Sequence, residues 1–367
     1  MPPTLVLDAR ISHSGIGRYV QLLLSGLRQQ NDFHVRVLTA LPTAKSAPAA
    51  SLTYRRVSAP LYGLREQAWI PCAARKADLL HVPHYNIPVF YTGKIVANIN
   101  DLTHINFPAY AQTWSSRIYA RNMLRIAAHK SAHVITISNY VADQIHSQFN
   151  IPRAKISVIY LNTAPDLHPL DPDMARQRVD RWLPAPVPYF LYVGGLRPHK
   201  NIPTLLRGFQ MFLASHAWPG ILLLVGCDPK HRGEVLRDID HLRLRDKVML
   251  LSDLSDGQLS AFYAAATCFV TASLSEGFCM PLLEAMHCGT PAACAAATCL
   301  PEIAGDAALW FDGHDPASLA QCLLRYMRPE VRNHHIRLGF ERARWFAAQD
   351  CAAQHLALYK DLLSMPA

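Results

Sequence analysis

Two glutamates separated by seven residues form the strongest chemical pattern in the sequence. Residues 275–291 are SEGFCMPLLEAMHCGTP, which places Glu276 in a short loop and Glu284 on the first turn of a helix that begins near Pro281. The start of a helix offers free N–H groups and the positive end of its dipole to an anion. The pattern indicates a pyrophosphate site whose carboxylates accept hydrogen bonds from sugar hydroxyls. A solvated loop residue and a helix-start charge explain the same glutamates without a ligand.

A glycine pair followed by a basic loop is the second pattern. Residues 189–209 are YFLYVGGLRPHKNIPTLLRGF, so a strand ends in Gly194 and Gly195 and the loop carries Arg197 and Lys200. Glycines let the backbone approach a ligand closely, and a lysine can neutralise a pyrophosphate leaving group. The alternative for Lys200 is a surface lysine at a helix start.

A third pattern lies near the N-terminus, where Gly15, Gly17 and Arg18 occur in DARISHSGIGRYVQLL, between a predicted strand and a predicted helix. The arrangement G-x-G-x-x-G is absent, so we do not expect a dinucleotide here. Arg18 is a candidate anion contact. A structural turn and an arginine on a helix surface would give the same residues.

Polar residues also follow two further predicted strands, in HVPHYNIPVF and ANINDLTHINFP. The candidates are His84, Asn100, Asp101 and His104. Ligands of open parallel sheets bind at the carboxyl ends of the strands. A histidine at this edge could accept or relay a proton near neutral pH. A hydrogen-bonded structural histidine is the alternative for each of these positions.

The elements that must position these motifs alternate between strand and helix. Predicted strands lie at residues 5–8, 35–38, 79–82, 95–99, 134–137, 189–193, 221–225, 248–250 and 268–271. Predicted helices lie at residues 17–30, 115–132, 202–215, 256–266, 281–288 and 350–363. This alternation favours two parallel α/β units in series. A proline-rich stretch at 162–188 separates them, so we expect domains at 1–165 and 166–345 and a final helix at 346–367.

Together these segments resemble the motifs of glycosyltransferase family 4, a family of retaining enzymes with the GT-B architecture. The resemblance extends from residue 4 to about residue 312. It implies an α/β fold in which two Rossmann-like domains face each other across a cleft. The C-terminal domain would hold the nucleotide sugar, the N-terminal domain would present the acceptor, and the last helix would return to the N-terminal domain.

The same resemblance gives roles to individual residues. Glu276 would lie near the donor sugar, Glu284 would bind the nucleotide's ribose, and Lys200 would contact the phosphates. The other expected donor-binding residues are Gly194, Gly195, Arg197, Gly277, Phe278, Met280 and Pro281. The expected residues of the acceptor side are Gly15, Gly17, Arg18, His84, Asn100 and His104.

Three positions depart from the family pattern. Cys279 stands where the family usually has glycine, and Gly195 stands where many relatives have arginine, a role that Arg197 could take over. Asn100 replaces a histidine, and an amide cannot transfer a proton at neutral pH. The expected catalytic residues are therefore Glu276, Lys200 and Asp101.

Composition limits where such an enzyme would act. The 367 residues are 50% apolar and carry a net charge of +9 without a dense basic block, which favours a spread basic surface or an anionic lipid partner over nucleic acid. The nine cysteines lack zinc-site spacing and suggest reduced core residues. Neither a signal-peptide pattern nor a long apolar run is present, so we expect a cytoplasmic location with peripheral contact at the inner face of the membrane.

The expected function is transfer of a hexose from a nucleotide diphosphate sugar to a glycan or a lipid-diphosphate-linked acceptor. Resemblance around GIGRY and NDLTH indicates surface-polysaccharide enzymes that transfer mannose or rhamnose, and favours GDP-mannose as donor. No cofactor is expected, and no metal, because no Asp-x-Asp pair lies beside the donor strand. A nucleotide-sugar epimerase of the same architecture and a non-catalytic sugar-binding subunit remain alternatives.

Overall fold

The computed structural model describes residues 2–11, 14–40, 52–107, 113–163, 167–183, 185–226 and 228–364. The chain divides into two compact units. Unit 1 comprises Met1–Asn162 and Gln349–Ala367, and unit 2 comprises Thr163–Ala348. The chain therefore leaves unit 1 slightly before the expected boundary at 165, and its last segment belongs to unit 1.

Unit 1 is a parallel sheet with helices on its faces. Its strands are β1 (Thr4–Asp8), β2 (His34–Thr39), β3 (Leu52–Arg56), β4 (Leu79–Val82), β5 (Ile95–Asn98), β6 (His133–Thr136) and β7 (Ile156–Val158). Its helices are α1 (Ser14–Leu27), α2 (Glu66–Ala73), α3 (Thr103–Asn106), α4 (Trp114–Lys130), α5 (Asn139–Phe149) and α14 (Cys351–Ser364).

The strand order in unit 1 is β3-β2-β1-β4-β5-β6-β7. The order reverses between β1 and β4, which pair in parallel with Leu5 opposite Leu79. Strands β1, β4 and β5 are almost entirely buried, as expected for a parallel sheet covered on both faces. A capping box between Thr113 and Ser116 starts α4, and the Ser138 hydroxyl accepts a hydrogen bond from a backbone N–H at the start of α5.

Helix α14 packs on α1 within unit 1. A Cβ added at Gly26 of α1 would stand 2.1 Å from the Cβ of Ala352, so the approach of the two helices depends on this glycine. Buried polar contacts add to the packing. His355 of α14 hydrogen-bonds the Tyr19 hydroxyl at 2.5 Å, and the Tyr359 hydroxyl hydrogen-bonds Nδ1 of His81 at 2.6 Å.

Unit 2 is a second parallel α/β unit. Its strands are β8 (Tyr189–Val193), β9 (Ile221–Val225), β10 (Val248–Leu251), β11 (Cys268–Thr271), β12 (Ala292–Ala295) and β13 (Ala308–Phe311). Its helices are α6 (Pro172–Val179), α7 (Ile202–Ser215), α8 (Pro229–His241), α9 (Asp256–Ala264), α10 (Met280–His287), α11 (Leu300–Ala304), α12 (Pro316–Arg325) and α13 (Pro329–Ala347).

The strand order in unit 2 is β10-β9-β8-β11-β12-β13, so the order reverses between β8 and β11. These two strands pair in parallel, with Phe190 opposite Cys268. An aromatic group around Phe190, in which Phe212 and Trp218 lie 5.2 and 4.3 Å from it by ring centroids, anchors one face of the sheet. Two loops at the reversal, after β8 and after β11, carry the donor motifs.

The predicted α/β class and the two parallel units are confirmed. The nine predicted strands all appear, most within one residue of their expected ends. Strands β3, β7, β12 and β13 were missed. In β12 the sequence AACA offers little β-branched or aromatic signal, although the strand is fully buried.

Within the described residues, none of the helices is long and apolar enough to cross a membrane. The same residues contain no group of three or more histidine, cysteine or acidic side chains placed to hold a metal ion. Seven of the eight described cysteines are buried, which agrees with their expected place in the core.

Candidate active site

The donor motifs meet at the point in unit 2 where the strand order reverses. Strand β8 leads into the glycine pair and a short 3₁₀ turn, Pro198–Lys200, and β11 leads into the loop that contains Glu276. The Leu274 N–H donates to the carbonyl of His199 at 2.8 Å and joins the two loops directly. Because ligands of open parallel sheets bind at such a reversal, this edge is the candidate donor site.

Lys200 and Glu276 form an ion pair at this edge. Lys200 Nζ donates to Glu276 Oε1 at 2.6 Å, although the residues are 76 positions apart in the chain. The two side chains keep 20% and 10% of their exposure. Burial lowers the pKa of Lys200, but the charge of Glu276 and the nearby Tyr192 outweigh burial and raise that pKa above its usual value. Lys200 is therefore a fixed cation at neutral pH.

Close backbone approach shapes the floor of the site. A Cβ added at Gly226, where β9 ends, would stand 1.9 Å from the carbonyl oxygen of Gly194, so only glycine fits there. The Tyr192 hydroxyl donates to the carbonyl of Gly195 and fixes the turn. A Cβ added at Gly195 would meet Asp228 Oδ2 at 3.9 Å, an ordinary contact distance, so this part of the turn is open.

The loop before α10 brings backbone groups to the same place. Helix α10 begins at Met280, one residue before the expected start, and Pro281 is its second residue. Cys279 precedes the helix with a φ of +70°, the left-handed conformation that glycine usually supplies. Its side chain does not cap the helix within the described structure. Pro281 has no N–H, and the Leu282 N–H donates to the carbonyl of Cys279 at 3.0 Å, so the helix start offers an anion chiefly the positive end of its dipole. Phe278 is buried against Phe346, with ring centroids 5.5 Å apart.

The position and burial of Glu284 differ from those expected from the sequence. It lies on the second turn of α10 rather than the first and is fully buried. Its Oε2 accepts a hydrogen bond from the Tyr263 hydroxyl at 2.9 Å, and burial together with the Glu284 charge raises the pKa of Tyr263. The cause is the apolar face of α10, which packs Leu282, Leu283 and Met286 into the core. This carboxylate is not open to solvent in the structure.

Arg197 lies in the same loop as Lys200. It precedes the 3₁₀ turn in an extended conformation, and its side chain is exposed. An exposed guanidinium one turn from Lys200 can reach an anion at this edge. Arg197 is therefore a second cation in the loop that carries Lys200.

Helix α1 starts three residues before its predicted start at residue 17, so Gly15 lies inside the helix and the expectation that it precedes the helix is wrong. Helix α1 begins at Ser14, so Gly15 and Gly17 occupy its first turn with Arg18 directly after. An added Cβ at Gly15 would meet no atom of the described residues within 4 Å. Arg18 is half-buried.

His84 is buried, contrary to its expected role as a proton relay. Burial lowers its pKa to about 4, so it is a weak base at neutral pH. Its Nδ1 accepts from the Asn86 N–H at 3.0 Å, which places the proton on Nε2. Within the described residues Nε2 has no hydrogen-bond partner.

The residues after β5 form a short polar turn. Asp101 Oδ1 accepts from the Thr103 N–H at 2.9 Å and holds the start of α3. Asn100 Oδ1 accepts from the Asn98 side chain at 3.3 Å. His104 packs edge-on against Tyr85, with ring centroids 5.7 Å apart. All of them lie at the carboxyl edge of unit 1 and remain candidates for acceptor contact.

A buried charge cluster at this edge was missed by the motif search. Arg10 pairs with Asp8 at 2.8 Å and with Glu66 at 3.1 Å, and the three side chains are almost fully buried. Asn86 donates to Glu66 and accepts from the Tyr119 hydroxyl at 2.6 Å. The Asp-Ala-Arg sequence at the end of β1 was the available signal. Glu66 lies 56 residues away, and no local spacing connects it to Arg10.

A known structure has the same fold along its whole length. Sucrose-phosphate synthase from Thermosynechococcus elongatus superimposes with a TM-score of 0.80 at 22% identity and covers 99% of both chains. The two Rossmann-like units and this likeness define the class of fold: the chain has the GT-B fold.

Two family descriptions match adjacent parts of the sequence. "Glycosyltransferase Family 4" matches residues 13–161, and "Glycosyl transferases group 1" matches residues 174–339. The chain belongs to this family of group 1 glycosyltransferases and is a hexosyltransferase. Family membership decides against the epimerase and the non-catalytic subunit.

Two relatives are named as mannosyltransferases. The chain is 29% identical over 303 residues to O-antigen chain mannosyltransferase B of Escherichia coli, covering 81% of this chain and 77% of that protein. It is 27% identical over 240 residues to O-antigen chain mannosyltransferase RfbU of Salmonella typhimurium, covering 65% of this chain and 62% of that protein.

Proposed function

We propose that the enzyme transfers mannose, with retention of configuration, from GDP-mannose to a glycan or lipid-diphosphate-linked acceptor in the synthesis of a surface polysaccharide. Both relatives described above are named mannosyltransferases of O-antigen chains, which supports the choice of sugar and product. The basic net charge of +9 is suited to a phosphorylated acceptor at a membrane surface.

The observation that carries the proposal is the ion pair between Lys200 and Glu276 beside the uncapped start of α10. The ion pair and the helix start are both next to the position that a diphosphate bound at the strand reversal would occupy. Lys200 would bind the phosphates, since its charge is fixed at neutral pH. Glu276 would hold Lys200 in place and lie next to the donor sugar.

The proposed reaction proceeds on one face of the sugar. The acceptor hydroxyl oxygen forms a bond to the anomeric carbon as the bond from that carbon to the β-phosphate oxygen breaks. The electron pair of the broken bond stays on the phosphate, and the same phosphate takes the acceptor's proton. The protein contributes position and charge stabilisation, from Lys200 and the positive end of the α10 dipole.

We propose that this reaction needs no divalent ion. Neither segment that follows β8 or β11 contains an Asp-x-Asp pair, the usual sequence signal for a metal beside the donor. Lys200 and the helix start would supply the positive charge instead. Transfer should therefore continue in the presence of EDTA, and full loss that Mg²⁺ or Mn²⁺ restores would contradict this part of the proposal.

A panel of nucleotides and sugars tests the donor. Thermal unfolding would be followed with GDP, UDP, ADP and dTDP, and we expect the largest stabilisation with GDP, because binding to the folded state raises the unfolding temperature. Transfer from radiolabelled GDP-mannose to membrane lipid extracts would then be measured. Stabilisation by UDP alone would mean that the donor carries uridine rather than guanosine. No change in unfolding temperature with any nucleotide would contradict a donor site.

A further inference from the structure

A small groove in unit 1 lies between the short helix α3 and the start of α4. Its volume is about 170 Å³. The described residues that line it are His104, Ile105, Trp114, Arg117, Ile118 and Arg121. The lining therefore combines apolar and aromatic side chains with two guanidinium groups. The volume suits a small polar group, and the exposed aromatic residue at its rim suits an attached apolar chain.

The groove adjoins the acceptor edge of unit 1. Strand β5 ends at Asn98, and α3 follows directly after the polar turn of Asn100 and Asp101. His104 belongs both to the groove and to the proposed acceptor residues, and it packs against Tyr85. A ligand in the groove would therefore lie beside the residues that are proposed to meet the acceptor.

The positive charge in the groove is not neutralised by the described protein. Arg117 and Arg121 stand one helical turn apart on α4, and neither side chain has a hydrogen bond or ion pair within the described residues. The first turn of α4 holds no acidic residue. Two adjacent guanidinium groups are well suited to a phosphate, which each can bind through two parallel hydrogen bonds.

The apolar side of the groove is open to solvent. Trp114 keeps 77% of its exposure at the start of α4, and Ile118 is exposed one turn later. Tryptophan is enriched where protein meets the boundary between lipid and water, because its ring is apolar and its N–H is polar. The arginines and these two residues share one face of the helix, at spacings of three and four positions.

We propose that this groove binds a phosphate carried on an apolar chain and serves as the subsite for the carrier lipid of the acceptor. The inference rests on the proposed function, since it specifies which acceptor the transferase uses. Arg117 and Arg121 bind the phosphate, and Trp114 and Ile118 contact the first part of the chain. The sugar end of the acceptor then extends along the edge past His104.

Geranyl diphosphate is a suitable probe, since it joins a diphosphate to a short apolar chain. Its binding to the full chain would be measured by calorimetry for the native protein and for Arg117→Ala and Arg121→Ala. We expect each substitution to weaken binding roughly tenfold, the loss of one charge-assisted contact. Arg125→Ala is the matched control, because Arg125 is exposed on the same helix outside the groove. If Arg125→Ala lost as much affinity for geranyl diphosphate, the effect would come from general surface charge and the proposal would be overturned.

Two further measurements separate the possible sources of the phosphate. Geraniol, which lacks the charge, should bind far more weakly than geranyl diphosphate, and equal binding would overturn the assigned role of the arginines. Vesicles of phosphatidylglycerol present the same charge as bulk membrane. If both arginine variants lose vesicle binding as strongly as they lose geranyl diphosphate, the groove contacts membrane headgroups, and the acceptor assignment fails.

The donor site is tested separately with Lys200→Met. This variant should keep geranyl diphosphate binding, and the groove variants should keep the thermal shift with GDP. If Lys200→Met abolishes geranyl diphosphate binding, the probe occupies the donor loop and the groove proposal is wrong, while the proposed function stands. If nucleotides bind nowhere but the groove variants still lose the probe, the proposed function fails and the groove remains a site for phosphate on an apolar chain.

Discussion

The carboxyl edges of the two sheets both carry paired charges, but the pairs differ in burial. In unit 1, Asp8, Arg10 and Glu66 are almost fully buried and bind one another. In unit 2, Lys200 and Glu276 form a single pair that keeps part of its exposure beside an uncapped helix start. The first set holds loops together, and the second remains accessible to a ligand.

This difference separates charges that serve folding from charges that serve binding. A buried cluster is costly to desolvate and is retained only when all its members are paired. A partly exposed pair costs less to rearrange when a diphosphate arrives. Burial and pairing, more than residue type, therefore distinguish the candidate donor site from its counterpart in unit 1.

The largest expected effect is on folding, at the buried cluster. Arg10→Met leaves Asp8 and Glu66 buried without their cation, so the free energy of unfolding should fall by about 3–5 kcal/mol. Chemical denaturation followed by circular dichroism measures it. Arg56→Met removes an exposed arginine at the end of β3 and should change stability by less than about 0.5 kcal/mol. A loss at Arg10 as small as the control would show that the cluster does not support the fold.

The next effect is on catalysis, at the exposed pair. Lys200→Met should lower kcat roughly 10²–10³-fold, because one preorganised charge at the leaving group is lost. Lys230→Met, on the exposed surface of α8, is the control and should keep normal activity. Thermal unfolding of both variants checks that they are folded. Near-normal turnover by folded Lys200→Met would show that the pair of Lys200 and Glu276 is not needed for catalysis.

A third effect depends on pH and should be larger in unit 1. Burial lowers the pKa of His81 to about 3, and that of His355 and His84 to about 4. The unfolded chain takes up protons first as the pH falls below about 6.5, so stability is full above that pH and declines towards the folded pKa values. Each histidine contributes up to about 1.4 kcal/mol per pH unit over this range.

Hydrogen exchange at pH 7 and pH 5 can resolve this difference between the units. Peptides from α14 and β4, which contain His355 and His81, should lose protection first. Burial also lowers the pKa of His287 and His335 in unit 2, but by less, so peptides from α10 and α13 should change less. If peptides of unit 2 lost protection before those of unit 1, the predicted difference between the units would be contradicted. His355→Gln should reduce the pH dependence in unit 1.

The smallest effect concerns the loop before α10. Cys279→Gly removes a side chain from a left-handed position, and relief of strain should offset the greater freedom of glycine in the unfolded chain. The change in stability should stay within about 1 kcal/mol. Cys294→Gly is the matched comparison, because Cys294 is fully buried in β12, and it should cost about 1–3 kcal/mol. A larger loss at Cys279 would show that its thiol supports the loop.

Sequence patterns predicted the fold of both units because their central strands are continuous apolar runs. Tyr189–Val193 and Ile221–Val225 were found with their observed ends. The strand Ala292–Ala295 was missed because its small residues carry little strand preference and only the tertiary environment buries it. The early start of α1 was missed because Gly15 favours a loop when local preference alone is considered.

The candidate site was predicted unevenly for a related reason. The motifs around Lys200 and Glu276 are compact in sequence, and the structure brings the two residues together. The burial of Glu284 and His84 could not be inferred, because it depends on packing by elements distant in the chain. The contact of Glu66 with Arg10 depends equally on tertiary folding, because Glu66 lies 56 positions from Arg10 and outside the motifs.

Nucleotide binding by Lys200→Met tests the central claim most directly. Affinities for GDP and GMP would be measured by calorimetry for the native protein and the variant. If Lys200 and the start of α10 bind the diphosphate, the native protein should bind GDP at least about tenfold more tightly than GMP, and the variant should lose most of that preference. An unchanged preference for GDP in the variant would contradict the account.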